Sequence, residues 1–239
     1  MKTGVLCIHG FTGGPYEVKP FVDYLEAKTD WKIVVPTLPG HGETLSLKKV
    51  TAENWMMEAE LALRELQKEM DRVIIVGFSM GGIIGMYLAN RYPIAKLILL
   101  SAAAKYIYPA QLLQDIKEIA KEAITGKLED NILYKQYSYK WKATPIHATL
   151  EFIRLVRMVE PYYGQITIPV CLVQGKKDGI VPHATAQFLY DQIGSKKKEL
   201  IYSETGKHHI CYSEDCEDWF GQALTFLNDK EKGEVHPIN

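Results

Sequence analysis

Six short apolar runs separated by helical patterns predict an α/β fold, a mostly parallel sheet of about six strands with helices on both faces. Three observations carry this. Runs such as Val73-Ile74-Ile75-Val76 and Leu97-Ile98-Leu99-Leu100 lack alternation, as expected of strands covered on both sides. The segments between the runs repeat apolar residues at helical spacing. The chain has 239 residues, 47% of them hydrophobic and 24% charged, which suits one large domain with an insertion and excludes collagen-like, disordered and low-complexity classes.

In chain order, residues 4–9, 31–36, 72–78, 95–101, 168–175 and 199–203 read as strands. Residues 16–28 form the first predicted helix. Residues 51–70 form the second, with Trp55, Ala59, Ala62, Leu63, Leu66 and Met70 on one face. Residues 80–91 are almost wholly apolar and read as a buried helix. Residues 182–193 and 217–228 complete the set, and the tail 229–239 is polar and read as frayed.

One stretch breaks the alternation. Residues 105–165 hold two amphipathic helical patterns and no strand. The first carries Leu112, Leu113, Ile116, Ile119 and Ala123; the second carries Ile146, Leu150, Ile153, Val156 and Val159. Seven of the 14 tyrosines fall here. An excursion from the C-terminal edge of a parallel sheet lies where ligands bind, so residues 105–165 read as a helical cap on a core made of 1–104 and 166–239. The alternative is an insertion that only thickens the domain.

A net charge of −1 gives no electrostatic footprint for nucleic acid or anionic membrane. The apolar run near the N-terminus is too short for a signal-peptide core, and nothing approaches the length of a membrane span. Four cysteines at unrelated spacings, two of them in strand-like runs (Cys7 and Cys171), read as reduced thiols in a cytoplasmic protein.

The chemistry centres on Gly77-Phe78-Ser79-Met80-Gly81-Gly82, a G-x-S-x-G motif between an apolar strand and an apolar helix. That context is what a nucleophile elbow needs. Glycines at 77 and 81 allow the tight turn, which lifts the Ser79 hydroxyl above the sheet edge at the positive end of the helix. The Met80 N–H then faces the position of an oxyanion.

A serine needs a base, and the base an orienting acid, here in the chain order Ser, Asp, His. The loop after the fifth strand reads Lys176-Lys177-Asp178-Gly179 and delivers Asp178 to the same edge. Asp191 falls mid-helix, far from that edge. After the last strand comes Gly206-Lys207-His208-His209-Ile210. His208 is the preferred base, because Gly206-Lys207 can turn to present it while His209 adjoins apolar Ile210. Adjacent histidines diverge and lack partners at ligand spacing, so a metal site is not expected.

The second oxyanion donor is expected from His9-Gly10-Phe11-Thr12-Gly13-Gly14, where glycines let the Phe11 N–H approach a ligand. His9 precedes the elbow and reads as a structural residue holding that loop.

These motifs, with Pro39-Gly40-His41-Gly42, resemble the α/β-hydrolase superfamily, and more closely its small bacterial carboxylesterases and monoacylglycerol lipases with a short helical cap. The resemblance runs from Gly4 to about Leu227. It implies a triad of Ser79, Asp178 and His208, an oxyanion hole from the N–H groups of Phe11 and Met80, no cofactor, and an ester substrate. Phe78 and Met80 stand where close relatives often carry leucines, which reshapes the floor of the acyl pocket. Phe78 and cap residues around Tyr106 and Ile153 are the candidate substrate contacts. The superfamily's leading hairpin is absent, which leaves six parallel strands.

The expected activity is hydrolysis of short- to medium-chain carboxylic esters, with monoacylglycerols next. The scaffold also hosts thioesterases, amidases and peptidases. An acyl-CoA thioesterase would favour a basic cap, but nine Lys and Arg against seven Asp and Glu in 105–165 decide nothing. A non-catalytic receptor would need no triad.

Overall fold

The computed structural model describes residues 1–104 and 146–229. Within them, six strands, β1 (Thr3–Ile8), β2 (Lys32–Val34), β3 (Arg72–Phe78), β4 (Lys96–Leu100), β5 (Val170–Gly175) and β6 (Lys198–Ser203), form one sheet in the order β2-β1-β3-β4-β5-β6. Every neighbouring pair is parallel. The helices are α1 (Lys19–Lys28), α2 (Ala52–Glu69), α3 (Met80–Ala89), α4 (Ile146–Val159), α5 (Ala184–Gln192) and α6 (Cys216–Asn228).

Strand pleating divides the apolar runs between two cores. Leu6, Ile8, Ile75, Leu97, Leu99 and Leu172 meet α2, α3, α4 and α5 on one face. Val5, Cys7, Ile74, Val76, Ile98 and Val173 meet Phe21 and Leu25 of α1 and Trp219, Phe220 and Phe226 of α6 on the other. Burial pushes the Cys7 thiol up to about 12, so it packs as a small hydrophobe.

The chain runs from β1 outward to β2, then returns past β1 to β3 and proceeds the other way to β6. That reversal between β1 and β3 opens a crevice at their C-terminal ends. The loop holding Phe11 and the turn holding Ser79 both emerge there.

The structure differs from the sequence expectation at several ends. The first helix divides into a 3-10 turn (Pro15–Glu17) and α1, because Pro20 lacks an N–H and its ring would meet the Tyr16 carbonyl in a continuous helix. Strand β2 is three residues long, paired only with β1 at the sheet edge. At the α2 start, Thr51 and Asn54 close a capping box.

The second cap pattern corresponds to α4, where Ile153, Val156 and Val159 are buried as expected and Ile146 and Leu150 are not. Ala148, Phe152, Leu155 and Val159 face the core, whereas Ile146 and Leu150 are 67% and 48% exposed. The cause is where α4 lies: it packs on α2 and α3, so Ala148, Phe152 and Leu155 face the core while Ile146 and Leu150 do not. Glu151 accepts the Ala52 N–H, and Arg154 pairs with Glu53 and Glu151, which ties α4 to the start of α2. The first cap pattern and Tyr106 lie outside the described residues.

Candidate active site

The turn from β3 to α3 places Ser79 at φ 52° and ψ −115°, a conformation a non-glycine residue rarely adopts. The neighbours explain how it is held. A Cβ on Gly77 would lie 2.4 Å from the Gly81 carbonyl oxygen, and one on Gly81 would lie 2.1 Å from that of Ile8. Ser79 N–H donates to the Leu100 carbonyl at 2.9 Å. Its side chain projects from a tight strand-to-helix turn, as an elbow requires.

His208 reaches this hydroxyl. Its Nε2 lies 3.0 Å from Ser79 Oγ and its Nδ1 lies 2.9 Å from Asp178 Oδ2. An ionised carboxylate only accepts, so Nδ1 carries the proton; the neutral ring's Nε2 then accepts from the serine. Asp178 is itself fully engaged. Its Oδ1 accepts the Ile180 and Val181 N–H groups at 2.8 and 2.9 Å, and its Oδ2 also accepts the Gln174 amide at 3.0 Å. Burial pushes this carboxyl upward, but the charge and hydrogen bond of His208 and the two backbone donors outweigh it and hold the group below its ordinary range.

Met80 is the first residue of α3, where N–H groups have no partner within the helix. The Phe11 N–H meets no acceptor among the described residues. Its direction is set indirectly. The Gly10 carbonyl, in the same trans peptide, accepts His9 Nδ1–H at 2.9 Å and Gly13 N–H at 3.3 Å, so the Phe11 N–H points the opposite way. His9 holds one tautomer because its Nε2 accepts the Leu38 N–H at 3.0 Å. This buried histidine therefore fastens the loop, as the sequence suggested. The loop is further tied by Gly42 N–H donating to the Gly13 carbonyl.

The remaining candidates are placed as follows. Phe78 is 1% exposed and lies beneath the rings of His208 and His209, at centroid distances of 5.1 and 5.7 Å. Ile153 is buried on α4. The Phe11 ring stacks on Phe152 at 5.3 Å and meets Trp55 edge-on at 5.8 Å, so the loop after β1 carries an aromatic wall continuous with α4. The two adjacent histidines point apart, His208 toward Ser79 and His209 toward Glu17.

Three residues around the site, Gln174, Glu17 and Asp215, are not singled out by the sequence, and His209 enters there only as the alternative base. Gln174 braces Asp178 from the end of β5, and Glu17 and His209 meet beneath the loop after β1. Asp215 accepts from Ser203, Thr205 and the Glu204 N–H, which shapes the turn that leads to His208. His209 stood beside His208 in the same loop. A polar residue at the end of an apolar strand, as Gln174 is, was the other available signal.

The chain is similar to a thermostable monoacylglycerol lipase of Bacillus sp. (strain H-257), with 27% identity over 209 residues, 86% of this chain and 82% of that protein. It is 23% identical over 210 residues to a carboxylesterase of Bacillus subtilis (strain 168), covering 86% and 84%. A solved structure from work on the metagenome-derived lipolytic enzymes LipS and LipT superposes with a TM-score of 0.79 at 25% identity, covering 95% and 93%. The Hydrolase_4 family model, described as serine aminopeptidase, S33, matches residues 1–215, and the chain belongs to this family of α/β-hydrolases.

Proposed function

We propose that the protein is a serine carboxylesterase acting on short- to medium-chain carboxylic esters through an acyl-enzyme on Ser79. The observation that carries this reading is the hydrogen-bonded chain from Ser79 through His208 to Asp178, set at the mouth of the β1–β3 crevice. His208 takes the serine proton as Oγ attacks the ester carbonyl, then gives it to the leaving alcohol. Water attacks the acyl-enzyme with the same imidazole as base. Asp178 holds the ring in the Nδ1–H tautomer and offsets the charge of the imidazolium. The N–H groups of Phe11 and Met80 stabilise each tetrahedral oxyanion, where one such donor is worth about 3 kcal/mol. All these steps draw on side chains and backbone of this chain.

The Phe11, Phe152 and Trp55 rings favour an apolar acyl group. In this reading α4 is the described part of the 105–165 cap and walls the acyl side, and Phe78 acts beneath the imidazole. Monoacylglycerols are the second reading, favoured by the name of the relative from strain H-257. No helix among the described residues is long and apolar enough to cross a membrane. The free thiols of all four cysteines favour the cytoplasm.

The test is turnover of p-nitrophenyl esters from acetyl to palmitoyl by the wild type and by Ser79→Ala, with 1-monoacylglycerols and leucine p-nitroanilide in parallel. Ester cleavage that peaks below the long chains and vanishes in the variant is expected. A folded wild type that cleaves the anilide and no ester would refute the reading.

A further inference from the structure

Under the oxyanion loop lies a carboxylate that the triad and its two N–H donors do not use. Glu17 is 2% exposed. Its Oε2 accepts the Gly10 N–H at 2.9 Å, and its Oε1 lies 3.3 Å from His209 Nε2. The loop is shaped around it: a Cβ on Gly13 would fall 1.7 Å from Oε2. Phe78 fills the space beside this group, since a Cβ on Gly10 would meet its ring at 3.0 Å while the ring underlies both histidines.

Consecutive residues thus serve opposite sides of the site. His208 engages Ser79, and His209 engages the carboxylate that holds Gly10, one residue before the Phe11 donor. The base and the oxyanion loop come from opposite ends of the chain, and strand pairing alone does not fix their spacing, since β1 and β6 are not neighbours.

We propose that Glu17 and His209 are positioning residues, a clamp that locks the oxyanion loop to the base loop and keeps the Phe11 N–H in register with the His208–Ser79 pair. The proposal rests on the ester-hydrolase reading above. An acid suits the task because both partners present a hydrogen, the Gly10 N–H and a protonated His209 Nε2, and a carboxylate offers each an acceptor oxygen. Burial makes the arrangement stiff, because a displaced partner would leave a buried charge unpaired. A glutamine at position 17 would keep one acceptor for Gly10 and would donate to His209, which the Nδ1–H tautomer of a neutral ring accepts.

The test compares wild type with Glu17→Gln, Glu17→Leu and His209→Leu in kcat and KM for p-nitrophenyl butyrate. The same proteins are titrated with an alkyl trifluoromethyl ketone, whose adduct with a serine hydroxyl places an oxyanion in the hole. A displaced donor costs about 10- to 100-fold. That loss is expected in kcat for Glu17→Leu and His209→Leu, with KM nearly unchanged and the ketone Ki raised by the same factor. Glu17→Gln recovers most of it. A clamp that served folding alone would lower the melting temperature and leave kcat and Ki alone. His209 is partly exposed, so His209→Leu decides the matter if Glu17→Leu does not fold. Folded variants with kcat and Ki within about two-fold of wild type would overturn the clamp. A wild type that neither turns over ester nor binds the ketone would overturn the hydrolase reading and this one with it.

Discussion

Replacing Asp178 with asparagine tests the proposed triad at its most constrained atom pair. The carboxylate takes four hydrogen bonds, two per oxygen. An asparagine must choose which side receives its amide. With its oxygen toward Ile180 and Val181, both backbone donors stay satisfied and the NH2 faces His208 and Gln174. The opposite flip sets the NH2 against two fixed N–H groups and is excluded on cost. In the surviving arrangement the amide donates to His208 Nδ1, so the ring proton moves to Nε2, the atom that must accept from Ser79. A triad with the wrong tautomer loses about 10⁴ in kcat, which corresponds to roughly 5 kcal/mol of barrier at about 1.4 kcal/mol per factor of ten.

The stability cost should be far smaller. Gln174 loses one acceptor but still donates to the Val181 carbonyl at 3.1 Å, so the penalty is near the low end for an unmet buried donor, about 1 kcal/mol. The assay is kcat for p-nitrophenyl butyrate alongside urea unfolding, with Asp178→Ala as a second variant. A folded Asp178→Asn retaining kcat within about ten-fold would refute the tautomer argument, and with it the role proposed for Asp178.

Further predictions address the frame around the site. Gly81→Ala drives a Cβ to 2.1 Å from the Ile8 carbonyl and 2.6 Å from that of His9; both are backbone, so a loss of about 3 kcal/mol and of turnover is expected, and wild-type urea midpoint and kcat would contradict it. Lys96 is buried and its ammonium donates to the carbonyls of Phe226, Leu227 and Asp229 at the end of α6. Lys96→Met should therefore cost about 2–4 kcal/mol in thermal or urea unfolding without altering KM. Acid stability follows from two aspartates. Burial raises Asp215, but hydroxyls of Ser203, Thr205 and Ser213 outweigh it, and like Asp178 it is held below the ordinary carboxylate range. Each contributes stability that is present above the unfolded value near 4 and is lost as pH falls toward the lower folded value. The urea midpoint should decline below about pH 4, and Asp215→Asn should flatten part of that decline; an unchanged acid limb would contradict the assignment.

The fold was legible because unbroken apolar runs and helical spacing are local signals. The elbow was legible for the same reason: Gly77, Ser79 and Gly81 lie within five consecutive positions between a strand and a helix. What the sequence hid is pairwise. Glu17 reads as one more acid in the first turn of the predicted 16–28 helix until folding brings it to His209, 192 residues away. Asp215 carries no local signal until Ser203 and Thr205 donate to it. On α4, Ile153, Val156 and Val159 were legible, whereas Ile146 and Leu150 fit helical spacing and yet stay exposed; only the position of α2 and α3 separates the two sets.

The spacing of the strands explains why the site also needs an unusual β4 end. Strands lie about 4.8 Å apart, and Ser79 and Asp178 follow β3 and β5 with β4 between them. An ordinary loop rising from β4 would stand in the path of the His208 ring that joins them. Instead Ser101 turns at φ 45° and is fully buried, its N–H donating to Val173 while Leu100 accepts from Ser79. The chain continues through Ala102, Ala103 and Ala104, all buried, and Ala103 N–H returns to the Ser79 carbonyl. Small side chains are required here because α3 comes close: a Cβ on Gly82 would lie 2.8 Å from that of Ala102. Two strained serines on adjacent strands, at 79 and 101, therefore serve one geometric end. The first raises a hydroxyl above the sheet, and the second turns the chain after β4 into the apolar core, where Ala102, Ala103 and Ala104 are buried.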